Sequence, residues 1–248
     1  MQPSEPIFKI TPRDGPLILV CEHASNAFPE PWGDLGLTAD QREAHIAWDP
    51  GALNVAQHLA QTLDATLISA RVSRLIYDLN RPPHSPGAMP QTSEIHDISG
   101  NQGLTSQDRL KRTNAVYLPF HAALNALIAE RLALGQTPQI LTIHSFTPVY
   151  HGAKRSVEFG VIHDADATLA QAIVYEARAQ TPLKTELNAP YSDADGVTHT
   201  LKLHATPFGL ANAMLEIRND LIATPHAQAD MAQTLAPVLI AALERLDR

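Results

Sequence analysis

Two histidines and an acidic residue carry the first chemical suggestion in this sequence. His23 follows the apolar run 17–21, and His144 follows the apolar run 140–143. Both runs are short and mostly apolar, with Thr142 the one polar residue, and read as buried strands, which places each imidazole at a strand end. Asp49 lies in Ile46-Ala47-Trp48-Asp49-Pro50-Gly51, an acidic residue in an otherwise apolar entry to a helix. His23, Asp49 and His144 together make a His₂–carboxylate set, which suits a catalytic zinc because it leaves a position open for water. Glu22 is an alternative carboxylate, and Asn26 a weaker candidate. The competing structural reading makes Asp49 the N-cap of a helix opening with Pro50, and each histidine a hydrogen-bonded core residue. No HExxH motif is present, so the set rests on position and not on a compact signature.

A second group lies in Ala213-Met214-Leu215-Glu216-Ile217-Arg218. The period of two along a strand puts Glu216 and Arg218 on one face. A carboxylate inside an apolar strand is costly unless it is paired or used. Glu216 beside an activated water can take its proton and return it to a leaving amine, or it can form a structural pair with Arg218. A third group is Arg74, Asn80 and Arg81, within Arg74-Leu75-Ile76-Tyr77-Asp78-Leu79-Asn80-Arg81-Pro82. Arg81 is held extended by the proline that follows, and its guanidinium fork suits bidentate capture of a carboxylate. Asn80 can donate to the same carboxylate or to an oxyanion, while Asp78 and Arg81 bridging at the surface is the bland alternative. Lys154 and Arg155 can read a second carboxylate or remain solvated loop charges. Cys21 sits in a buried strand, where cysteine acts as a small hydrophobe. There is no GxSxG elbow and no Walker phosphate loop.

These residues need elements to position them. Strands are expected at 17–21, 66–70, 74–77, 140–143, 157–162 and 213–217, the second and third separate or joined as one bent strand. Helices are expected from Pro50, over 106–134 with a kink at Pro119, and over 165–179 and 227–246. Residues 82–103, rich in Pro, Ser, Gly and Asn, are too long for a plain connection and read as a functional lid. Residues 191–207 read as a second irregular segment. Apolar strands alternating with helices argue for a single α/β domain over 1–248, with three αβα layers around a mixed, largely parallel sheet. In such folds ligands bind at the carboxyl ends of strands, where Glu22-His23, Asn80-Arg81 and His144 are expected.

The chain has 248 residues and a formal charge of −8, with histidine counted neutral. An acidic chain of this kind lacks the basic face of a nucleic-acid binder. No apolar run approaches the roughly 20 residues that span a bilayer. Cys21 is the only cysteine, which rules out an internal disulfide and suits a reducing cytoplasm. Residues 1–10 carry no signal-peptide pattern, and a cytoplasmic location is expected.

From Leu17 to about Ile222 the chain resembles the N-formylglutamate amidohydrolase family. The matching pieces are Glu22-His23-Ala24-Ser25-Asn26, His45-Ile46-Ala47-Trp48-Asp49, the stretch from Ser73 through Arg74 and Asp78 to Pro82, Gly100-Asn101-Gln102-Gly103-Leu104, His144-Ser145-Phe146-Thr147-Pro148 and Leu215-Glu216-Ile217-Arg218-Asn219-Asp220. The family fold is similar to that of zinc carboxypeptidases and aspartoacylase, a phosphorylase/hydrolase-like fold. The resemblance implies a zinc (Zn2+) or other divalent-metal hydrolase that cleaves the linear amide of a small, acidic N-acyl amino acid such as N-formylglutamate. It implies that Glu216 is the catalytic carboxylate, that Arg74 polarises the scissile carbonyl, and that Asn80 and Arg81, with Arg218 nearby, hold substrate. Carboxypeptidases place a glutamate ligand three residues after the first histidine. Here that residue is Asn26, so the carboxylate ligand comes from elsewhere, Asp49 before Glu22. The 45–49 stretch marks a divergent branch. A related hydrolase with another acyl or peptide substrate, or a non-catalytic binding protein for amino-acid derivatives, are the alternatives, and the oligomeric state is open.

Overall fold

The structure, a computed structural model, describes residues 6–246. Among them the strands run as β1 (Phe8–Thr11), β2 (Leu17–Cys21), β3 (Thr66–Ala70), β4 (Thr92–Ser93), β5 (His96–Asp97), β6 (Gln139–Phe146), β7 (Val149–Tyr150), β8 (Ala153–Lys154), β9 (Phe159–Ile162), β10 (Thr185–Leu187) and β11 (Asn212–Arg218). The helices are α1 (Ala39–Glu43), α2 (Ala52–Thr62), α3 (Ser106–Arg112), α4 (Leu118–Ala133), α5 (Thr168–Gln180), α6 (His199–His204) and α7 (Pro225–Leu246). Seven strands form one sheet in the order β1-β3-β2-β6-β11-β9-β10, and β4–β5 and β7–β8 are separate hairpins. Strands β3, β2, β6 and β11 are mutually parallel, β1 is antiparallel to β3, β9 is antiparallel to β11, and β10 is parallel to β9. The sheet is thus mixed and largely parallel, as the alternation of strands and helices implied.

The continuous apolar runs are explained by cover on both faces. Leu17, Leu19, Leu141, Ile143, Leu215 and Ile217 pack with residues of α2, α5 and α7 on one side. Ile18, Val20, Ile140 and Met214 pack on the other with α4, α6 and the buried segment 72–79. Fully burying a side chain of this size contributes about 1.5–3 kcal/mol, so the two apolar layers dominate the stability of the domain. None of the described helices is long and apolar enough to cross a membrane.

Several elements differ from the expectations. Segment 74–77 is a buried turn and not a strand. The Ser73 hydroxyl donates to the Ala47 carbonyl at 2.7 Å and accepts from the Leu75 amide at 3.1 Å, while the Asp78 carboxylate accepts from the Asn80 amide at 3.0 Å. Side chains capture backbone groups that a ladder would otherwise use. Asn80-Arg81 therefore lies on a loop and not at a strand end. Asp49 does not cap α2: the N-cap is Gly51, with φ of 82° and no side-chain cap. A side chain there would run into Ile222, and only glycine takes that φ without strain. In place of a kink at Pro119, a π-helical turn at Thr113–Tyr117 joins α3 to α4. The 191–207 segment contains α6, and the short edge strands β1 and β10 had no clear pattern.

Residues 82–103 are ordered by one buried cation. Arg112 donates to the Ile76 carbonyl (3.1 Å), the Asn101 amide oxygen (2.6 Å) and the Gly100 carbonyl (3.1 Å). Asn101 in turn donates to the carbonyls of Leu75 (2.9 Å) and Pro90 (2.8 Å). The Gly100-Asn101 piece thus anchors the rim of the cavity described next.

Candidate active site

The central strands create a row of polar side chains on one face. In the parallel register Val20 faces Thr142, and His144 faces Glu216. Glu22 and His144 follow two residues after Val20 and Thr142, so Glu22, His144 and Glu216 come side by side where the apolar face of the sheet ends. All three are buried. Loops complete the group: the Asp49 amide donates to the His23 carbonyl at 2.9 Å, which seats Asp49 against the β2 end.

One carboxylate oxygen is the hub. Asp49 Oδ2 lies 2.9 Å from His144 Nδ1 and 3.3 Å from His23 Nδ1. The other ring nitrogens each face a further carboxylate: His23 Nε2 is 2.8 Å from Asp78 Oδ1, and His144 Nε2 is 3.2 Å from Glu22 Oε2, the latter outside hydrogen-bond geometry. One ligand atom from each of His23, Asp49 and His144 falls within a 4.8 Å group that can hold a metal ion. This arrangement fits a cation well, because both imidazoles aim a nitrogen at one place while their far nitrogens are oriented by carboxylates. Glu22 stands behind His144, in that orienting position.

The electrostatics follow from burial and from these neighbours. Burial pushes the Asp49 carboxyl up, but His23 and His144 together outweigh it and hold the group ionised. Burial likewise opposes ionisation of Asp78, and Arg74 and His23 overcome it, leaving its pKa well below the usual range. Glu216 is the exception. Burial raises it, with Asp49 adding to the effect against His144, His23 and Arg74, and the carboxyl is pushed up to about 7. Its Oε2 is buried with no hydrogen-bond partner among the described residues. A carboxylate poised near neutrality and left unpaired is suited to accepting and returning a proton.

These groups line a cavity of about 570 Å³ that also contains Arg74, Asn80, Arg81, Arg155 and Tyr191. Arg74 is committed within the cluster, donating to Asp49 Oδ1 at 3.2 Å and to Asp78 Oδ2 at 2.7 Å. Asn80 donates to the Val197 carbonyl at 2.5 Å and accepts from the Thr200 amide at 3.0 Å, so its amide pins the start of α6. Arg81 donates to the carbonyls of Asn80 and Gly196. Arg218 turns away: it pairs with Asp220 at 2.8 Å and Glu158 at 3.4 Å and lies outside the cavity lining. Neither the Glu216–Arg218 pair nor a surface Asp78–Arg81 pair forms, because Glu216 and Asp78 are both drawn into the buried cluster. Lys154 is exposed on the β7–β8 hairpin, whereas Arg155 reaches the cavity. Asp78 joins the site without a motif of its own, its sequence signal being its place between Arg74 and Arg81. Tyr191 had no signal beyond lying in a polar segment.

The sequence profile of the N-formylglutamate amidohydrolase family matches residues 15–223. The chain belongs to that family. An N-formylglutamate amidohydrolase-type chain is an amide hydrolase by family. Among solved structures, the gene product Atu2144 of Agrobacterium tumefaciens is similar at 49% identity and a TM-score of 0.96, over 98% of this chain and 97% of that one. The N-formylglutamate amidohydrolase of Ralstonia eutropha JMP134 shares the fold at 18% identity and a TM-score of 0.70, over 98% of each chain. No curated protein matches the chain.

Proposed function

We propose that this amidohydrolase is metal-dependent and cleaves the linear amide of a small acidic N-acyl amino acid such as N-formylglutamate. The observation that carries the reading is the meeting of His23, Asp49 and His144 beside the unpaired, buried Glu216 in one cavity. His23, Asp49 and His144 would hold the metal. A zinc ion or another divalent cation, when bound there, supplies Lewis acidity that makes water nucleophilic near neutral pH, with a bound-water pKa of roughly 7. Asp78 fixes the tautomer and ring plane of His23 by a hydrogen bond, and Glu22 faces the far nitrogen of His144 at 3.2 Å.

Glu216, buried with no hydrogen-bond partner on Oε2 among the described residues, takes the proton from the attacking water and delivers it to the leaving nitrogen. Arg74, held in place by Asp49 and Asp78, stabilises the charge that develops on the carbonyl oxygen. Arg81 captures the substrate α-carboxylate, since among the described residues no carboxylate pairs with it. Asn80 positions the 196–200 segment that faces Arg81. Arg218, outside the cavity, has no substrate role in this scheme.

The test combines elemental analysis with a formate-release assay on N-formylglutamate, N-formylaspartate, a neutral N-formyl amino acid and their α-amides. The reading expects about one metal per chain and cleavage of free acids in preference to α-amides. A metal-free protein that cleaves acids and amides equally well contradicts both the metal and the Arg81 assignment.

A further inference from the structure

The cavity holds three guanidinium groups, and they are not equivalent. Arg74 is neutralised by two carboxylates. Arg81 and Arg155 have no carboxylate partner among the described residues, although both line the cavity. The cavity lining also carries Asp49, Asp78, Glu94, Asp195 and Glu216, yet among the described residues none of these stands in direct ion-pair contact with Arg81 or Arg155, so both guanidinium groups can take a ligand's carboxylate.

Arg155 is also built in. Its guanidinium carbon lies 4.5 Å from the Tyr150 ring centroid, 4.8 Å from that of Tyr191 and 5.5 Å from that of Phe146. Three rings fix the position of the group through π-electron contacts, and the Tyr191 hydroxyl also meets the guanidinium, which leaves its other N–H groups for a ligand. Its side-chain hydrogen bond to the Thr147 carbonyl is long at 3.5 Å, and its backbone amide is tied to the Pro148 carbonyl at 2.8 Å. The rings come from separate places. Phe146 ends β6, two residues after His144; Tyr150 belongs to the β7–β8 hairpin; Tyr191 belongs to the segment after Pro190. Gly160 on β9 makes that last segment possible, because any Cβ there would collide with the Ala189 carbonyl. The same segment reaches Arg81 through Gly196. One strap of chain therefore joins the two unpaired arginines.

We propose that Arg155 is the specificity-determining residue of the site, receiving a second carboxylate of the substrate while Arg81 receives the first, so that the cavity selects dicarboxylic N-acyl amino acids over neutral ones. This inference rests on the hydrolase reading given above. It adds that the charge of the amino-acid side chain is read by a guanidinium clamped between Phe146, Tyr150 and Tyr191. A flexible, solvated surface cation would bind the same group with far less discrimination, since its ordering would oppose binding.

The experiment is a cycle between protein and substrate. Wild type, Arg155→Ala and Arg155→Lys are assayed with N-formylglutamate and N-formylglutamine, which differ by one charge at nearly constant shape. Wild type is expected to prefer the glutamate compound by about 10²-fold in kcat/KM, within the range found when one partner of a buried charge pair is removed. Arg155→Ala should lose most of that preference by slowing the glutamate compound at least 10-fold while leaving the glutamine compound within about 3-fold. Arg155→Lys should restore part of it. A purely structural role would lower both substrates together and leave the preference intact, which overturns the proposal. So does a wild type with no preference. If no N-formyl amino acid is turned over, the hydrolase reading fails by itself, and calorimetric binding of glutarate against butyrate still scores Arg155. Tighter glutarate binding lost in Arg155→Ala supports the second-carboxylate site, and equal binding of the two acids by wild type refutes it.

Discussion

Asp49 and Glu22 are both buried carboxylates beside the same histidine, and geometry assigns them different work. Asp49 Oδ2 is where two imidazole nitrogens converge, whereas Glu22 faces only the far nitrogen of His144. Asp49→Ala should therefore abolish metal binding. Glu22→Gln should retain the metal with affinity weakened by roughly 10–100-fold, the usual effect of removing a carboxylate that orients a ligand. Titration with a competing chelator separates the two, and equal loss in both variants would make Glu22 a ligand as well. Glu216 gives a second prediction. Glu216→Gln keeps the shape and removes the proton acceptor, so kcat should fall by roughly 10²-fold or more with metal content unchanged. Turnover near that of the wild type would leave Glu216 as a buried group without a catalytic part. The alternation Met214, Glu216 against Leu215, Ile217 made Glu216 legible in the sequence, because a carboxylate on a covered face needs a reason. Arg218 shared that alternation and was misplaced with it: the strand ends there, and Glu158 and Asp220 lie within its reach.

At the scale of elements, the strands that carry the site were the readable ones. β2, β6 and β11 are buried on both faces, which leaves largely apolar runs in the sequence, broken in β6 and β11 by polar residues such as Thr142, His144 and Glu216. The 72–79 segment has the same apolar character but is buried as a turn, since Ser73 and Asp78 bond to backbone within a few residues. Hydrophobicity reports burial, and only local side-chain chemistry distinguishes the two. The edge strands β1 and β10 draw their identity from pairing partners distant in sequence. Arg112 holds the 76–101 loop through three acceptors, and Arg112→Met should destabilise the domain by about 2–4 kcal/mol in urea unfolding, because buried acceptors are left unpaired. A loss below about 0.5 kcal/mol would mean that water replaces the guanidinium. The α4–α6 contact carries a pH dependence. His121 Nδ1 and His204 Nε2 are 2.8 Å apart, and burial, with the neighbouring histidines, lowers His121 to about 3 and His204 to about 4 from 6.5. Below pH 6.5 the unfolded chain takes up protons that the folded pair refuses, so this pair's contribution to stability falls from pH 6.5 towards pH 4. His204→Gln should flatten the stability difference between pH 7.5 and pH 5 relative to wild type. Comparison with the variant isolates the pair from His23 and His144, whose raised pKa values act in the opposite direction. Parallel pH slopes in the two proteins would contradict the assignment.

The whole molecule is a sheet whose two apolar layers leave one polar row open to a cavity. His23, Asp49 and His144, which could hold a metal ion, meet buried Glu216, Arg81 and Arg155 there because β2, β6 and β11 are parallel neighbours and the 72–81 and 190–197 segments line the same cavity. Family membership makes the chain an amide hydrolase. Metal dependence is the central claim added by the site. Its most direct test is formate release from N-formylglutamate by one preparation, measured as purified, after exhaustive chelation, and after return of one equivalent of zinc. The account predicts activity that disappears with the metal and returns with it. Undiminished turnover by the chelated, metal-free protein would contradict it.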